Sequence, residues 1–393
     1  MYRHLSLFSG CGGMDLGVRG GFLVNKSFLP QADISDTQFL RLPETGFKCV
    51  FANDIKKSAQ KFWLRNHLSP ADRENFVCKS IVDLVKEEKS GRKIFPENID
   101  LVTGGFPCQD FSVSGLRKGF DSHKTHRNDI SDLVQKESRG MLYLWMKKVI
   151  SITRPKIFIA ENVSGLGNLG NALETIKTDF ANTAEGYAVF ARQLNAPDYG
   201  IPQSRRRIFF IGLDSSIFGS DRFDEDDLFP KKTHIVKNDL FSDIHSLEHC
   251  ASASNFFVGL REPEEEDQDR AQQSFSKAKY GGQYQGQTEV DLTGIAPTIR
   301  SEHHGNIEYR RLSAKRGGKN KSELAEGMKE RRLTVRECAR IQTFPDDFDF
   351  VFDDSLIGNL SASASYKLIG DAVPPLLAYH IAIKIRSLLE RDA

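Results

Sequence analysis

The sequence predicts an α/β fold, a doubly wound mixed sheet carrying a smaller, loop-rich second domain. Three observations lead there. Through residue 213, short runs of β-branched and aromatic residues alternate with amphipathic stretches, as strands do when helices connect them. The first such run opens into a glycine-rich turn, FSGCGG, of the kind that lets a backbone approach a ligand closely. From 214 to 330 the periodicity gives way to acidic, polar and glycine-rich segments, KYGGQYQGQ and KRGGKNK among them. The expected division is therefore 1–213, 214–330 and 331–393, for a 393-residue chain longer than the roughly 250–300 residues that one core fills.

In chain order, strands are expected at RHLSLF (3–8), KCVFAN (48–53), ENFVCK (74–79), IDLVTG (99–104), PKIFIAEN (155–162), YAVFARQL (187–194) and RIFFIGL (207–213). Between them, GMLYLWMKKVISITR (140–154) repeats Leu142, Trp145, Met146 and Val149 at helical spacing. After the irregular region, LTVRECARIQTF (333–344) reads as a helix. YKLIGDAVPPLLAYHIAIKIRSLLE (366–390) reads as a turn followed by a long amphipathic helix.

Composition narrows the function. With 39% hydrophobic residues, no run approaching a membrane span and no charged-then-apolar leader, the expectation is a soluble cytoplasmic protein without a membrane partner. The six cysteines, at 11, 49, 78, 108, 250 and 338, form no CxxC pair and no zinc spacing, so no metal site is expected. Net charge is +1, but its distribution is uneven. Residues 221–270 carry 14 acidic against 6 basic side chains, and 271–340 carry 14 basic against 8 acidic. The basic segment could follow a phosphate backbone; the acidic run, REPEEEDQDR included, is expected to be a solvated linker.

Two stretches point to chemistry. In LSLFSGCGGMDLGVRGGF (5–22) the glycines miss the GxGxxG spacing, the last falling at Asp15, which disfavours a nicotinamide cofactor. The second strand ends in Asn53-Asp54, where a carboxylate can take two ribose hydroxyls. An adenosyl ligand suits both features. The second stretch is GGFPCQDFSVSG (104–115), which places Cys108 after a proline where the chain must turn. A thiol displayed there is either incidental or a nucleophile, since reactivity needs access and thiolate character.

FSGCGG, GGFPCQDFSVSG, ENVSGL, QSRRRIFFIG, RRLTVRECARIQTFPDDF and IGDAVPP, in this order, resemble the ordered motifs of the DNA cytosine-5 methyltransferases. The likeness runs from residue 5 to about 378. It implies a Rossmann-like fold binding S-adenosyl-L-methionine, a smaller target-recognition domain, and a C-terminal helix returning to the large domain. By the resemblance, Cys108 is the nucleophile, flanked by Pro107 and Gln109, and Glu161 the carboxylate at ring nitrogen 3, held by Asn162. Arg205 and Arg207 form a charged pair beside the target base, with Gln203 opening their motif. Phe8, Ser9, Gly10, Cys11, Gly12 and Gly13 hold the amino-acid part of the cofactor, Asp54 its ribose beside Ile55, and Ser80 and Ile81, or instead Asp83, its adenine. Gly105, Ala372 and Val373 complete the cofactor set. Asp371 stands where many relatives carry Asn, and its carboxylate could repel that of the cofactor. Residues 25–46 are an insertion without an assigned role.

A cytosine stacked in a duplex cannot reach Cys108, so the resemblance implies base flipping. The polar loop 110–139, with Ser112 and Arg127, would close over the flipped base. Sequence choice is expected near Thr298-Ile299, with Arg300, His303, His304 and Asn306 as candidate DNA contacts. The implied partners are double-stranded DNA and, acting separately, a cognate restriction endonuclease; a monomer is expected. Methylation of transfer RNA by the same chemistry is the alternative. The 118 positions from 213 to 330 favour DNA, because the RNA-modifying branch has a compact recognition region.

Overall fold

The computed structural model describes residues 1–30, 37–107, 142–168, 171–219, 222–236, 247–265, 269–277, 288–301 and 307–391. Its first half runs β1 (Tyr2–Leu7), α1 (Gly13–Arg19), β2 (Leu23–Asn25), β3 (Phe39–Arg41), β4 (Phe47–Asp54), α2 (Lys57–Asn66), β5 (Phe76–Cys78), α3 (Ile81–Lys89), β6 (Leu101–Gly105), α4 (Leu142–Thr153), β7 (Ile157–Val163), α5 (Ala172–Ala181), β8 (Tyr187–Asn195) and β9 (Arg206–Asp214). The seven strands anticipated from sequence form one sheet in the order β5-β4-β1-β6-β7-β9-β8. The five from β5 to β7 are mutually parallel, whereas β9 runs antiparallel to both β7 and β8. The sheet is therefore mixed, as expected.

Both faces of this sheet are covered, so its strands are apolar on both sides. On β7, Ile157 and Ile159 enter one core while Phe158 and Ala160 enter the other; on β9, Phe209 and Ile211 alternate in the same way with Ile208 and Phe210. One face carries α3, α4 and α5, with Trp145, Met146 and Val149 buried as their spacing requires. The other carries α1, α2 and the C-terminal helices.

Beyond β9 lie short elements: α6 (Ser215–Phe218), α7 (Glu225–Leu228), β10 (His234–Ile235), β11 (Glu248–His249), α8 (Arg270–Gln273), β12 (Tyr309–Arg311), α9 (Lys321–Ala325) and β13 (Arg331–Arg332). Pairing of β12 with β13 crosses the division drawn at 330. Then follow α10 (Val335–Ile341), α11 (Ala362–Asp371) and α12 (Pro375–Arg391). Thr334 and Glu337 form a reciprocal capping box on α10. Where 366–390 was expected to open with a turn, the residues through Asp371 are instead the end of α11; the break falls at Ala372–Pro374, where proline stops the helix. Taken as one, Ala362–Arg391 is long and apolar enough to match a membrane span, contrary to the expectation from sequence, but 78% of its apolar window is buried within the protein, much of it through α12 against α1.

Two further expectations are corrected. The acidic run is not merely solvated: Glu262 accepts from Arg311 at 2.6 and 3.1 Å and from Arg331 at 3.0 Å twice, and Asp269 accepts from Arg336 at 3.0 Å. Arg311, Arg331 and Arg336 are themselves buried, so much of the expected phosphate-binding charge is neutralised inside the protein. The 25–46 insertion also acquires a structural role. Its β2 and β3 form an antiparallel hairpin, and Phe28 and Asn25 grip the 255–256 segment through a 5.0 Å ring contact and a 3.1 Å hydrogen bond.

Candidate active site

At the C-terminal ends of β1, β4, β6 and β7 a cavity of about 620 Å³ opens, bounded on its far side by residues 298–301 and 370–373. That is the edge where a doubly wound sheet places its ligand. Phe8, Ser9, Gly10 and Gly13 line one end. The loop is fixed by β4: Ser9 N donates to Asn53 O at 2.9 Å, and Gly10 N to the Asp54 carboxylate at 2.9 Å. Phe8 adopts a φ of 53°, a costly conformation for a side-chain-bearing residue. Gly13 is obligatory, because a Cβ there would sit 2.3 Å from Val373 O. Cys11 and Gly12, expected in the ligand loop, lie outside the lining: the Cys11 thiol donates to Leu368 O at 3.2 Å, and burial raises its pKa. Any ligand contact from Cys11 falls to its backbone.

Asp54, Ile55, Ser80 and Ile81 form the next wall. Asp54 is buried and accepts from Lys56 N at 2.8 Å as well as from Gly10; desolvation lifts its pKa. Of the alternatives named for that end, Ser80 and Ile81 line the wall and Asp83 does not. Asp371, Ala372 and Val373 close the opposite side. The charge of Asp371 is answered by Lys56, whose ammonium lies 2.6 Å from its carboxylate. Lys56 went unmarked in the sequence because only the fold brings it to a residue 315 positions away.

The other end holds the carboxylate expected from ENVSGL. Parallel pairing sets Gly105 beside Glu161, and the space where a Gly105 Cβ would stand is 3.0 Å from Glu161 Oε2. Asn162 Nδ2 donates to Phe106 O at 3.3 Å, so Glu161 and Pro107 border one cavity wall. Glu161 is 7% exposed. Burial raises its pKa, while Arg207, 2.9 Å away, and Arg205 pull it back only in part. A carboxyl whose pKa is raised in this way keeps its proton to higher pH than a solvated one, as a general acid requires. Cys108, Gln109, Ser112, Arg127, His303, His304 and Asn306, and the 110–139 loop, lie outside the described residues.

Arg205 corrects the expected charged pair. Fully buried, it donates to the carbonyls of Ile299 (2.9 Å), Gly370 (3.0 Å) and Ala372 (2.6 Å). Only Arg207 faces the cavity; Arg205 ties its far wall together. Gln203, also buried, donates to Ile341 O at 2.6 Å. Thr298 bonds Ser204 O, and both Thr298 and Arg300 stand at the cavity edge. Behind the glycine loop, His4, Asp15 and Cys49 bring potential metal-ligand atoms within 4.8 Å of one another, a grouping from three elements that sequence spacing does not reveal. Burial raises the Asp15 pKa to about 7 and lowers that of His4 to about 3.

Residues 2–387 match the model of the family described as C-5 cytosine-specific DNA methylase. The chain is 30% identical to the Type II methyltransferase M.NgoPII of Neisseria gonorrhoeae, over 98% of this chain and 96% of that protein. It is 32% identical to M.BsuRI of Bacillus subtilis, over 97% and 78%. Among solved structures, S. pombe Dnmt2 shares the fold with a TM-score of 0.58 at 17% identity, covering 100% of this chain and 99% of that one. With a large mixed sheet, a cavity at its carboxyl edge and a buried acid that shares the cavity wall with Pro107, the chain belongs to the C-5 cytosine-specific DNA methylase family.

Proposed function

We propose that the chain transfers a methyl group from S-adenosylmethionine to carbon 5 of a flipped cytosine in double-stranded DNA, as the methyltransferase of a restriction–modification system. The observation that carries the proposal is Glu161: a buried carboxyl with a raised pKa, paired to Arg207, whose register partner Gly105 precedes Cys108 by three residues in the sequence. In this reading the Cys108 thiolate adds to carbon 6, which breaks the ring's aromaticity and makes carbon 5 a nucleophile. Glu161 donates its proton or a strong hydrogen bond to ring nitrogen 3, where the charge develops. Arg207 orients that carboxyl. After transfer, loss of the carbon 5 proton expels the thiolate.

The cavity suits the cofactor. Its volume lies in the range of small-molecule sites, Asp54 supplies a fixed carboxylate for ribose hydroxyls, and the 8–13 loop presents backbone to the amino-acid end. When bound, S-adenosylmethionine would supply the electrophilic methyl sulfonium. Asp54, Ile55, Ser80 and Ile81 would hold its adenosine, and the loop with 371–373 its amino-acid head. We assign target reading to 214–330, including Thr298 and Arg300, and with them His303, His304 and Asn306, which lie outside the described residues. Full-length relatives named as Type II methyltransferases favour DNA over RNA. Bisulfite sequencing of a bacterium free of cytosine methylation, expressing the chain, tests this: one short recurring methylated sequence, absent with Cys108→Ser, is expected. Unmethylated DNA from cells holding soluble wild-type protein would reject it.

A further inference from the structure

We propose that the Lys56–Asp371 ion pair is a receptor for the zwitterionic amino-acid head of the cofactor, Asp371 taking the α-ammonium and Lys56 the α-carboxylate; this rests on the cofactor reading above. Both residues line the cavity, and their charged atoms are 2.6 Å apart. They come from opposite walls, Lys56 following β4 and Asp371 ending α11. The backbone that follows Asp371 is pressed onto the glycine loop, with Val373 O against Gly13. On the Asp371 side, the pair therefore adjoins that loop. Its position also appears in the Cys11 thiol, whose pKa Asp371 raises and Lys56 lowers.

The side chains are 47% and 42% exposed. An ion pair this accessible adds little to folding, so it can open or be shared at small cost. A ligand bearing one positive and one negative group a short distance apart can engage both charges in charge-assisted hydrogen bonds. A lone carboxylate at 371 would repel the ligand's own carboxylate; with Lys56 beside it, the site carries no net charge and has a defined polarity. Lys56 thus turns the departure at 371 into a two-point contact.

The test compares two ligands by calorimetry: S-adenosylhomocysteine, which has the zwitterionic head, and 5′-methylthioadenosine, which lacks it. Lys56→Met and Asp371→Asn should each weaken S-adenosylhomocysteine about tenfold, as expected for losing one charged hydrogen bond, and leave 5′-methylthioadenosine within about twofold. The charge-swapped double variant, Lys56→Asp with Asp371→Lys, retains an ion pair of reversed polarity; it should melt like wild type and still bind S-adenosylhomocysteine weakly. Equal weakening of both ligands, unchanged S-adenosylhomocysteine binding in the single variants, or full binding by the swapped variant would overturn the proposal. Failure of wild type to bind either ligand would instead overturn the cofactor reading beneath it.

Discussion

Arg205 separates a structural from a catalytic role most sharply. Its guanidinium donates to Ile299, Gly370 and Ala372 carbonyls, holding the 298–301 segment and the α11–α12 junction to the strand that carries Arg207. Arg205→Met keeps most of the volume and removes these donors. A buried carbonyl left without a partner costs about 1–3 kcal/mol. Ala372 O keeps Gln342 Nε2 at 3.4 Å, and because all three acceptor residues border the cavity, water can reach the other two carbonyls in part, so the low end applies and the loss is about 2 kcal/mol in total. With a urea slope of about 3 kcal/mol/M, the unfolding midpoint followed by circular dichroism should fall by about 0.7 M. Arg205→Lys, which keeps the charge but not the planar fork, should recover only part of this. S-adenosylhomocysteine affinity should fall with stability, since two of the acceptors flank Asp371. Arg205→Met with wild-type stability and ligand binding, yet no methyl transfer, would refute this reasoning and return Arg205 to the reacting base.

Three further outcomes follow. Arg207 lowers the Glu161 pKa against the burial that raises it, so Arg207→Gln should move the alkaline limb of the pH–rate profile to higher pH; an unmoved or lowered limb would separate that limb from Glu161. Burial raises Asp15 from 3.8 to about 7, so the folded state keeps a proton that the unfolded state releases. Its contribution therefore declines from about pH 4 to pH 7, by on the order of 4 kcal/mol. Subtracting the melting profile of wild type from that of Asp15→Asn should show a gain that grows across this window, and a flat difference would contradict the assignment. Glu262 is pushed up by burial but pulled down more by Arg331 and Arg311, to about 2. Arg331 keeps Glu337 and Arg311 keeps Glu323, so Glu262→Gln should destabilise by about 1.5 kcal/mol, the low end for losing hydrogen bonds to a charged group, and a change under about 0.5 kcal/mol would make the acidic run the solvated linker first expected.

The sheet was legible because its strands are short and apolar on both faces, and because the amphipathic stretch at 140–154 carries its own period. Their order in the sheet was not, since β8 and β9 read alike in sequence and only pairing places β9 between β7 and β8. The site was legible where a motif is local: Gly105 and Glu161 meet through strand register, and Asp54 reaches Gly10 from the next strand. What stayed hidden depends on partners distant in sequence. The charge of Asp371 looked unfavourable until Lys56 stood against it, Arg205 looked like an active-site cation until its carbonyl partners were in place, and the acidic run looked solvated until Glu262 met Arg311 and Arg331. Local composition records a charge but not what neutralises it.

The proposed reaction runs through a covalent bond to Cys108 with Glu161 as its acid. The most direct measurement incubates the protein with duplex DNA carrying 5-fluorocytosine and S-adenosylmethionine, then resolves protein from DNA under denaturing conditions. Once its recurring target sequence is known, wild type should yield a denaturant-stable complex, Cys108→Ser none, and Glu161→Gln a complex that forms far more slowly. No stable complex from wild type that methylates ordinary DNA, or an undiminished complex from Cys108→Ser, would contradict the account.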